Sequence, residues 1–492
     1  MLNGMHFLST KRVLFIFSIL ISGACWFFSN GLHGDYWYVL WIAPVPVFLC
    51  SFYATAKETF FIAFISYLLG RLSWFSYLST VATLVPAIIA TIVLPLIFAL
   101  VIVLFRSVVI KINSWYSVFA FPVFFTTYEW LLLTFSYDGS AASIAYSQAN
   151  FLPIIQLASI TGILGITFLV TFIPSAIAFA WRFRNKTKQL LFLSLTSLSI
   201  LALVFIYGFV RLSNSTSDTT TAGLVALDEK THKVDGKLND TDELQHTKDY
   251  TKEINNLAAQ GSKVVVLPER AINITREIDS ATMEMLSNAA RTNHVFIVTG
   301  YTNLINKKDR NSALVIDDNG NVLSNYNKRH LVKGFEDRFT PGKKIGLFTF
   351  DNDPAGVAIC KDLDYPGYIN QYGKSKIDVL CVPAWDFVVD DWLHSRMAIL
   401  RGVENGFSEI RTARQGRLTI SDPYGRVLAE ASSSDGKAAR LIGKVPLVKL
   451  NTFYSQHGDW IGYVMILATV FFLFTIITTK PDKNENVDTA MA

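Results

Sequence analysis

A chain of 492 residues that is 51% hydrophobic and only 17% charged is too apolar for an ordinary soluble protein, in which about a quarter of residues carry charge. Four cysteines exclude a disulfide-built secreted scaffold. The apolar content excludes disorder, and a net charge of +5 is too small at this length to suggest nucleic-acid binding. The charge is unevenly spread: residues 1–212 hold 11 Lys and Arg and 4 Asp and Glu, while the next 280 residues hold the other 68 charged side chains. The first part reads as membrane-embedded and the second as a globular domain of ordinary composition.

A helix crossing about 30 Å of hydrocarbon needs roughly 20 apolar residues. Seven stretches qualify early, at about 12–29, 36–54, 59–79, 83–105, 115–136, 156–181 and 189–210, and an eighth lies at 460–479. Unpaired backbone is not tolerated in lipid, so these segments are expected to be helices. The expected organisation is a multi-span α-helical membrane domain with eight transmembrane helices: seven in residues 1–212, a globular domain at 213–458, the last helix at 459–480 and a tail at 481–492. Lys11, Arg12, Lys57, Arg106, Lys111, Arg182, Arg184, Lys186, Lys188, Lys480 and Lys483 fall on one side of that arrangement, whereas the loops near 30–35, 80–82 and 137–155 have no Lys or Arg. Positive residues stay in the cytoplasm, so both termini are expected inside. The 213–458 domain is then expected outside, in the periplasm or beyond the inner membrane of a bacterium.

Two local features have competing readings. The run KRVLFIFSILISGAC resembles a signal peptide ending at a lipidated Cys25, but Ser22 stands where such a site prefers a larger aliphatic residue, which favours an uncleaved first span. Arg71 lies inside the third span, where a charge is costly and often functional; pairing with Glu129 of the fifth span is the structural explanation.

After a polar linker at 213–220, strand and helix patterns alternate. GLVAL (223–227) reads as a strand, 242–259 as an amphipathic helix, KVVVLPE (263–269) as a buried strand, 276–292 as a helix and VFIVTGY (295–301) as a strand. Residues 312–328 form a hairpin about Asp-Asn-Gly. GLFTF and AGVAIC follow, then the buried strand IDVLCVPAW (377–385), a helix at 392–406 and a last hairpin at 418–431. This alternation predicts a layered α/β sandwich.

Three residues stand at the C-terminal ends of apolar strands: Glu269 in LPER, Lys328 in YNKRHLV and Cys360 in AICKD. A thiolate attacks carbonyls, a carboxylate can take the thiol proton, and an ammonium can stabilise the oxyanion, so the trio suits nucleophilic acyl transfer. Individually each has an ordinary reading, a small core thiol or a solvated strand end. Cys381, inside IDVLCVP, reads as core. The segment from Trp385 to Trp392 alternates large apolar groups with carboxylates in an expected loop. Trp385, Phe387, Val388 and Trp392 either pack on the core or line an acyl pocket.

LPE, YNKRHLV with Glu336 eight residues past Lys328, and AIC-x-D resemble the three signatures of the nitrilase superfamily. Tyr128-Glu129-Trp130, Tyr146-Ser147-Gln148, residues 153–170, and Ala384-Trp385 through the helix 396–406 resemble bacterial apolipoprotein N-acyltransferases. The chain departs from that family's usual pattern at Lys361 (usually aromatic), Asp362 (usually Glu), the LVALDEKTH run and Arg414-Gln415-Gly416. The arm before Cys360 is also short.

The resemblance implies a nitrilase-like αββα sandwich beside the helices, with Glu269 as general base, Lys328 as oxyanion stabiliser and Cys360 as nucleophile. Glu336 would orient Lys328, the Lys361 N–H would complete the oxyanion hole, and Asp362 would support the site. It further implies transfer of an acyl chain from a phospholipid, through a Cys360 thioester, to the N-terminal amine of a diacylglyceryl-cysteine lipoprotein. No cofactor, metal or nucleic acid is implied. Alternatives are a membrane-tethered amidase or hydrolase with the same three residues, and a non-catalytic lipoprotein-binding homologue.

Overall fold

The computed structural model describes residues 2–216, 218–233, 239–305, 308–448 and 450–479; Lys480, Lys483 and the tail at 481–492 lie outside the described residues. Among the described residues, seven helices are long and apolar enough to cross a membrane: Lys11–Phe28, Ala56–Val81, Leu84–Ile112, Trp115–Phe135, Ile163–Arg182, Thr187–Leu212 and Trp460–Thr478. They match seven of the eight expected spans.

The remaining one, expected at 36–54, is not a long helix. Tyr36 takes a left-handed φ of +52°, Trp37–Trp41 forms a tight 3-10 turn, and only Val45–Ser51 is α-helical. Pro44 and Pro46 interrupt the run because proline lacks an N–H and starts helices rather than continuing them. The segment is nevertheless anchored along its length. At its start Trp41 Nε1 donates to Gln148 Oε1 at 2.8 Å and Gln148 Nε2 donates to the Trp37 carbonyl at 3.1 Å. At its end Arg106 Nε donates to the Ala54 carbonyl at 2.8 Å, and the Arg182 guanidinium lies 5.3 Å from the Phe52 ring.

Glu129 does not pair with Arg71. Its carboxylate accepts from Thr167 Oγ1 (2.5 Å), Ser143 Oγ (2.8 Å) and the Ile144 N–H (2.8 Å). Three neutral donors satisfy it, so the ion pair expected from sequence is not needed.

Beyond the helices, thirteen strands among the described residues form two sheets. They are β1 (Thr219–Ala226), β2 (Val264–Val266), β3 (Ile272–Ile274), β4 (Phe296–Asn303), β5 (Arg310–Ile316), β6 (Val322–Asn327), β7 (Gly346–Phe350), β8 (Asp353–Val357), β9 (Val379–Trp385), β10 (Ser408–Arg414), β11 (Arg417–Ser421), β12 (Val427–Ser432) and β13 (Ala439–Pro446). One sheet runs β13-β1-β2-β4-β5-β6 with β3 beside β4, and the other runs β12-β11-β10-β9-β8-β7. Strand periodicity builds the layers. Val264 and Val266 face the space between the sheets, whereas Val265 faces the helices Asp240–Ala259 and Asp279–Asn293. In β9, Val379 and Cys381 point between the sheets, and Leu380 and Val382 point toward the other helical layer. The result is the αββα sandwich, with Cys381 in its core.

The helix Asp391–Asn405 is buried on almost every face. Trp392, Leu393, Met397, Leu400 and Val403 join the hydrophobic core of the membrane helices. The two parts are further stitched by hydrogen bonds. The Ile163 N–H, at the start of a membrane helix, donates to Glu404 Oε1 at 2.9 Å, and Arg401 Nη2 donates to the Tyr146 hydroxyl at 2.9 Å. A carboxylate at a helix N-terminus satisfies an otherwise orphaned N–H and suits the helix dipole.

Candidate active site

Glu269 follows β2, Lys328 follows β6, and Cys360 follows β8, so three strand ends deliver the three side chains. Lys328 Nζ lies 2.6 Å from Glu269 Oε1 and 2.8 Å from Glu336 Oε2. Glu269, Lys328 and Glu336 are all buried. A lone buried ammonium would be costly, and two carboxylates compensate it here. Burial opposes the charge on Lys328, but Glu269 and Glu336 outweigh it and hold the amine firmly protonated. Burial pushes the Glu269 carboxyl up despite the neighbouring ammonium. At Glu336, Lys328 and the Val332 N–H overcome burial and hold the carboxyl below its ordinary range.

Cys360 opens the turn Cys360–Asp364 with φ +41°. A β-carbon in the left-handed region is strained, and such strain is retained where surrounding contacts impose it. Asp362 supplies those contacts. It accepts from the Ile359 N–H at 3.1 Å, from the Tyr326 hydroxyl at 2.6 Å and from the His330 N–H at 2.9 Å. One carboxylate thus ties the Cys360 turn to the segment that carries Lys328. Cys360 Sγ donates to the Trp385 carbonyl at 3.4 Å. Burial and the Glu269 carboxylate push its thiol well above the usual range, with Lys328 opposing. The resting group is therefore a thiol rather than a thiolate.

Lys361 points away from this cluster. Its Nζ pairs with Asp138 Oδ1 at 3.1 Å and Asp364 Oδ2 at 3.6 Å, tying the nucleophile turn to a loop of the membrane part. The Trp385 ring is flanked by the Arg270 and Arg414 guanidiniums at 5.2 and 5.0 Å, and its Nε1 donates to Gln415 Oε1. Phe387 packs edge-on against Phe335, with centroids 5.3 Å apart, and both Phe335 and Val388 are exposed. Trp392 is instead buried, close against Gly34. The four apolar residues of this segment therefore divide into a wall beside Cys360, an exposed rim and a packing residue.

Sequence reasoning missed two contributors. Asn311 Nδ2, on β5, donates to Glu269 Oε1 and to Glu336 Oε1, each at 2.5 Å. It bridges two carboxylates that would otherwise repel. Asp386, next to Trp385, forms a bidentate pair with Arg411 at 2.5 and 2.9 Å. Among the described residues no group of three His, Cys, Asp or Glu side chains is placed to hold a metal ion.

The "Carbon-nitrogen hydrolase" family matches residues 224–449, and the "Apolipoprotein N-acyltransferase N-terminal domain" matches residues 22–176. The chain is 27% identical over 405 residues to the apolipoprotein N-acyltransferase of Rickettsia prowazekii, covering 74% of this chain and 76% of that one. It is 24% identical over 475 residues to the apolipoprotein N-acyltransferase of Geobacter metallireducens, covering 87% and 88%. Among solved structures, an amidase from Nesterenkonia sp. aligns with 50% of this chain and 99% of its own, at 16% identity and a TM-score of 0.43. Fold and site together define a carbon-nitrogen hydrolase domain carried on a helical membrane part. Within that class the chain belongs, as a divergent member, to the apolipoprotein N-acyltransferase family of the nitrilase superfamily.

Proposed function

We propose that this protein is an apolipoprotein N-acyltransferase. It moves an acyl chain from a phospholipid to the N-terminal amine of a diacylglyceryl-cysteine lipoprotein. The observation that carries the reading is the convergence of Glu269, Lys328 and Cys360 in a domain packed directly onto membrane helices. Glu269 takes the Cys360 thiol proton as sulfur attacks the ester carbonyl. The tetrahedral oxyanion is held by Lys328 and the Lys361 N–H. Its collapse breaks the C–O bond, and the proton passes from Glu269 to the lysophospholipid oxygen. In the second half the lipoprotein amine attacks the thioester, Glu269 accepts its proton, the C–S bond breaks, and the thiol is restored as the amide forms. Glu336 and Asn311 hold Lys328 and Glu269 in register. The rim of half-buried Phe387 and exposed Val388, with Phe335 against Phe387, receives the acyl chain beside the Trp385 wall.

The bounds of the reading remain those of the sequence: a membrane part over 1–212, a catalytic domain over 213–458, the last helix over 459–480 and a tail over 481–492. The broken segment 36–54 is taken as the eighth crossing, a reading supported by the contacts of Trp41 with Gln148 and of Ala54 with Arg106. With Lys11, Arg106 and Arg182 at the cytoplasmic end, the catalytic domain lies outside the bacterial inner membrane.

A hydrolase with the same site would pass the acyl group to water. Purified protein incubated with phospholipid and a diacylated lipopeptide separates the two by product mass. A triacylated peptide with lysophospholipid supports the proposal; free fatty acid alone supports a hydrolase; no acyl-enzyme rejects both. Reporter fusions after Leu212 and Asp482 test the topology, with outside activity expected only from the first.

A further inference from the structure

Arg71 ends the helix Ala56–Arg71 and is buried, 6% exposed. Its guanidinium lies 4.4 Å from the centre of the Trp74 ring, and its Nε has no hydrogen-bond partner. The carboxylate within reach in sequence terms, Glu129, is occupied by Thr167, Ser143 and Ile144. A cation at membrane depth without a counter-charge is costly and marks a ligand path more often than a structural accident. An aromatic face offsets only part of that cost.

Arg71 also lines a narrow, partly open crevice of about 20 Å³, room for one water-sized group, together with Trp26, Asn30, Tyr67, Trp74 and Ser143. Asn30 and Ser143 there are already engaged. Asn30 Nδ2 donates to the Phe27 carbonyl, Asn30 Oδ1 accepts from the Leu32 N–H, and Ser143 donates to Glu129. The guanidinium and the unpartnered Trp26 Nε1 are donors left for an incoming group, and an anionic one suits them. The level in the bilayer fits as well. Phe28, Tyr36 and Tyr38 are exposed nearby in sequence, as aromatic residues are at the headgroup boundary. One wall belongs to the loop whose Asp138 and Ser140 hold the turn of Cys360, through Lys361 and the Asp364 carbonyl.

We propose that this crevice is a phosphate subsite, in which one oxygen of the headgroup phosphate of the phospholipid acyl donor enters and meets Arg71 while the acyl ester reaches toward Cys360. The assignment rests on the acyl-transfer reading for the identity of the lipid. Arginine suits the role because its planar fork matches phosphate oxygens and its charge survives burial.

The test uses full-length Cys360→Ala protein, delipidated in detergent, so that binding is measured without turnover. Native mass spectrometry follows titration with phosphatidylglycerol, with diacylglycerol of the same chains, and with inorganic phosphate. Phosphatidylglycerol should bind about tenfold tighter than diacylglycerol, as expected for one charge-assisted contact. Arg71→Gln should erase that preference while leaving diacylglycerol binding unchanged, which also shows that the variant is folded. Arg71→Lys should keep part of it. A phospholipid preference that survives Arg71→Gln overturns the proposal. So does a wild-type chain with no preference, a result that stands even if the Gln variant fails to fold. Arg71-dependent binding of inorganic phosphate without phospholipid preference assigns the site to a free anion and rejects the lipid. Acyl-enzyme formation in the unmodified protein is scored separately, so failure of the acyl-transfer reading is distinguishable.

Discussion

Two buried carboxylate sites, one in each half of the molecule, satisfy their charge in opposite ways. Glu129, among the membrane helices, is surrounded by two hydroxyls and a backbone N–H. Glu269 and Glu336, in the sandwich, share one ammonium and one amide. Neutral donors fix a carboxylate in place and leave little for it to do. A shared ammonium holds two carboxylates together at one point while burial keeps the Glu269 carboxyl up, an arrangement that fits the base role proposed for it. The comparison teaches that buried charge alone does not mark the chemistry; the kind of partner does.

The sharpest way to break the contrast is to remove the nucleophile. Cys360→Ser should lower acyl transfer by roughly 10⁴-fold or more, while Cys381→Ala, in the sandwich core, keeps most of it; equal losses would reject the assignment. Next in size are Glu269→Gln and Lys328→Met, each expected to slow acyl-enzyme formation by about 10²–10⁴-fold. Trapping with labelled phospholipid measures this, and a normal rate in Glu269→Gln would remove the base from the mechanism. Phe387→Ser with Val388→Ser should cost about tenfold on long-chain phospholipid, roughly two buried apolar contacts. A short soluble ester should be nearly unaffected, and equal losses on both would mark the rim as ordinary core.

Glu129→Leu sharpens the other side. Three donors lose their acceptor, so stability should fall by about 3 kcal/mol or more. Turnover of a short ester per folded molecule should change less than about twofold. A large fall in turnover without destabilisation would place chemistry in the membrane half after all.

The smallest effect concerns His394. Burial alone would lower its pKa, but the Asp390 carboxylate 3.0 Å away raises it from 6.5 to about 9. Because the folded value is raised, the stabilisation is complete below about pH 6.5 and is lost as pH rises through about 9. The melting-temperature gap between wild type and His394→Gln should therefore be present at pH 6 and gone by pH 10. A gap that persists at pH 10 would show that the pair is not held by charge.

Much of this was legible in sequence, for identifiable reasons. Seven long helices are visible as unbroken apolar runs, and the strand ends at Glu269, Lys328 and Cys360 are marked by apolar stretches meeting a reactive side chain. The segment 36–54 misled because apolar composition hides Pro44 and Pro46, which shorten the helix without making it polar. β10 was unreadable because Glu409, Arg411 and Arg414 are buried in it, so the strand lacks an apolar pattern. Asn311 escaped because an asparagine opening NSALVI looks like a strand boundary, and nothing local shows that two glutamates from 42 residues upstream and 25 downstream converge on it. Lys361 could be flagged, but its partner Asp138 comes from a loop more than 200 residues earlier. Arg71 and Glu129 were rightly seen as buried charges and wrongly joined, since hydroxyl groups compete unseen for the carboxylate.

The Glu404–Ile163 contact makes the catalytic half a poor candidate for expression as an independent fragment. Cutting at the linker would leave the membrane helix Ile163–Arg182 without its acidic cap and Glu404 with only Arg401, 3.0 Å away, to answer its charge. It would also lay Trp392, Met397, Leu400 and Val403 open to water along one helix. An apolar stripe of that kind drives aggregation. Truncated forms should therefore be recovered as insoluble material, and any library of shortened variants for crystallography or inhibitor screening should retain the helix Ile163–Arg182 with the sandwich.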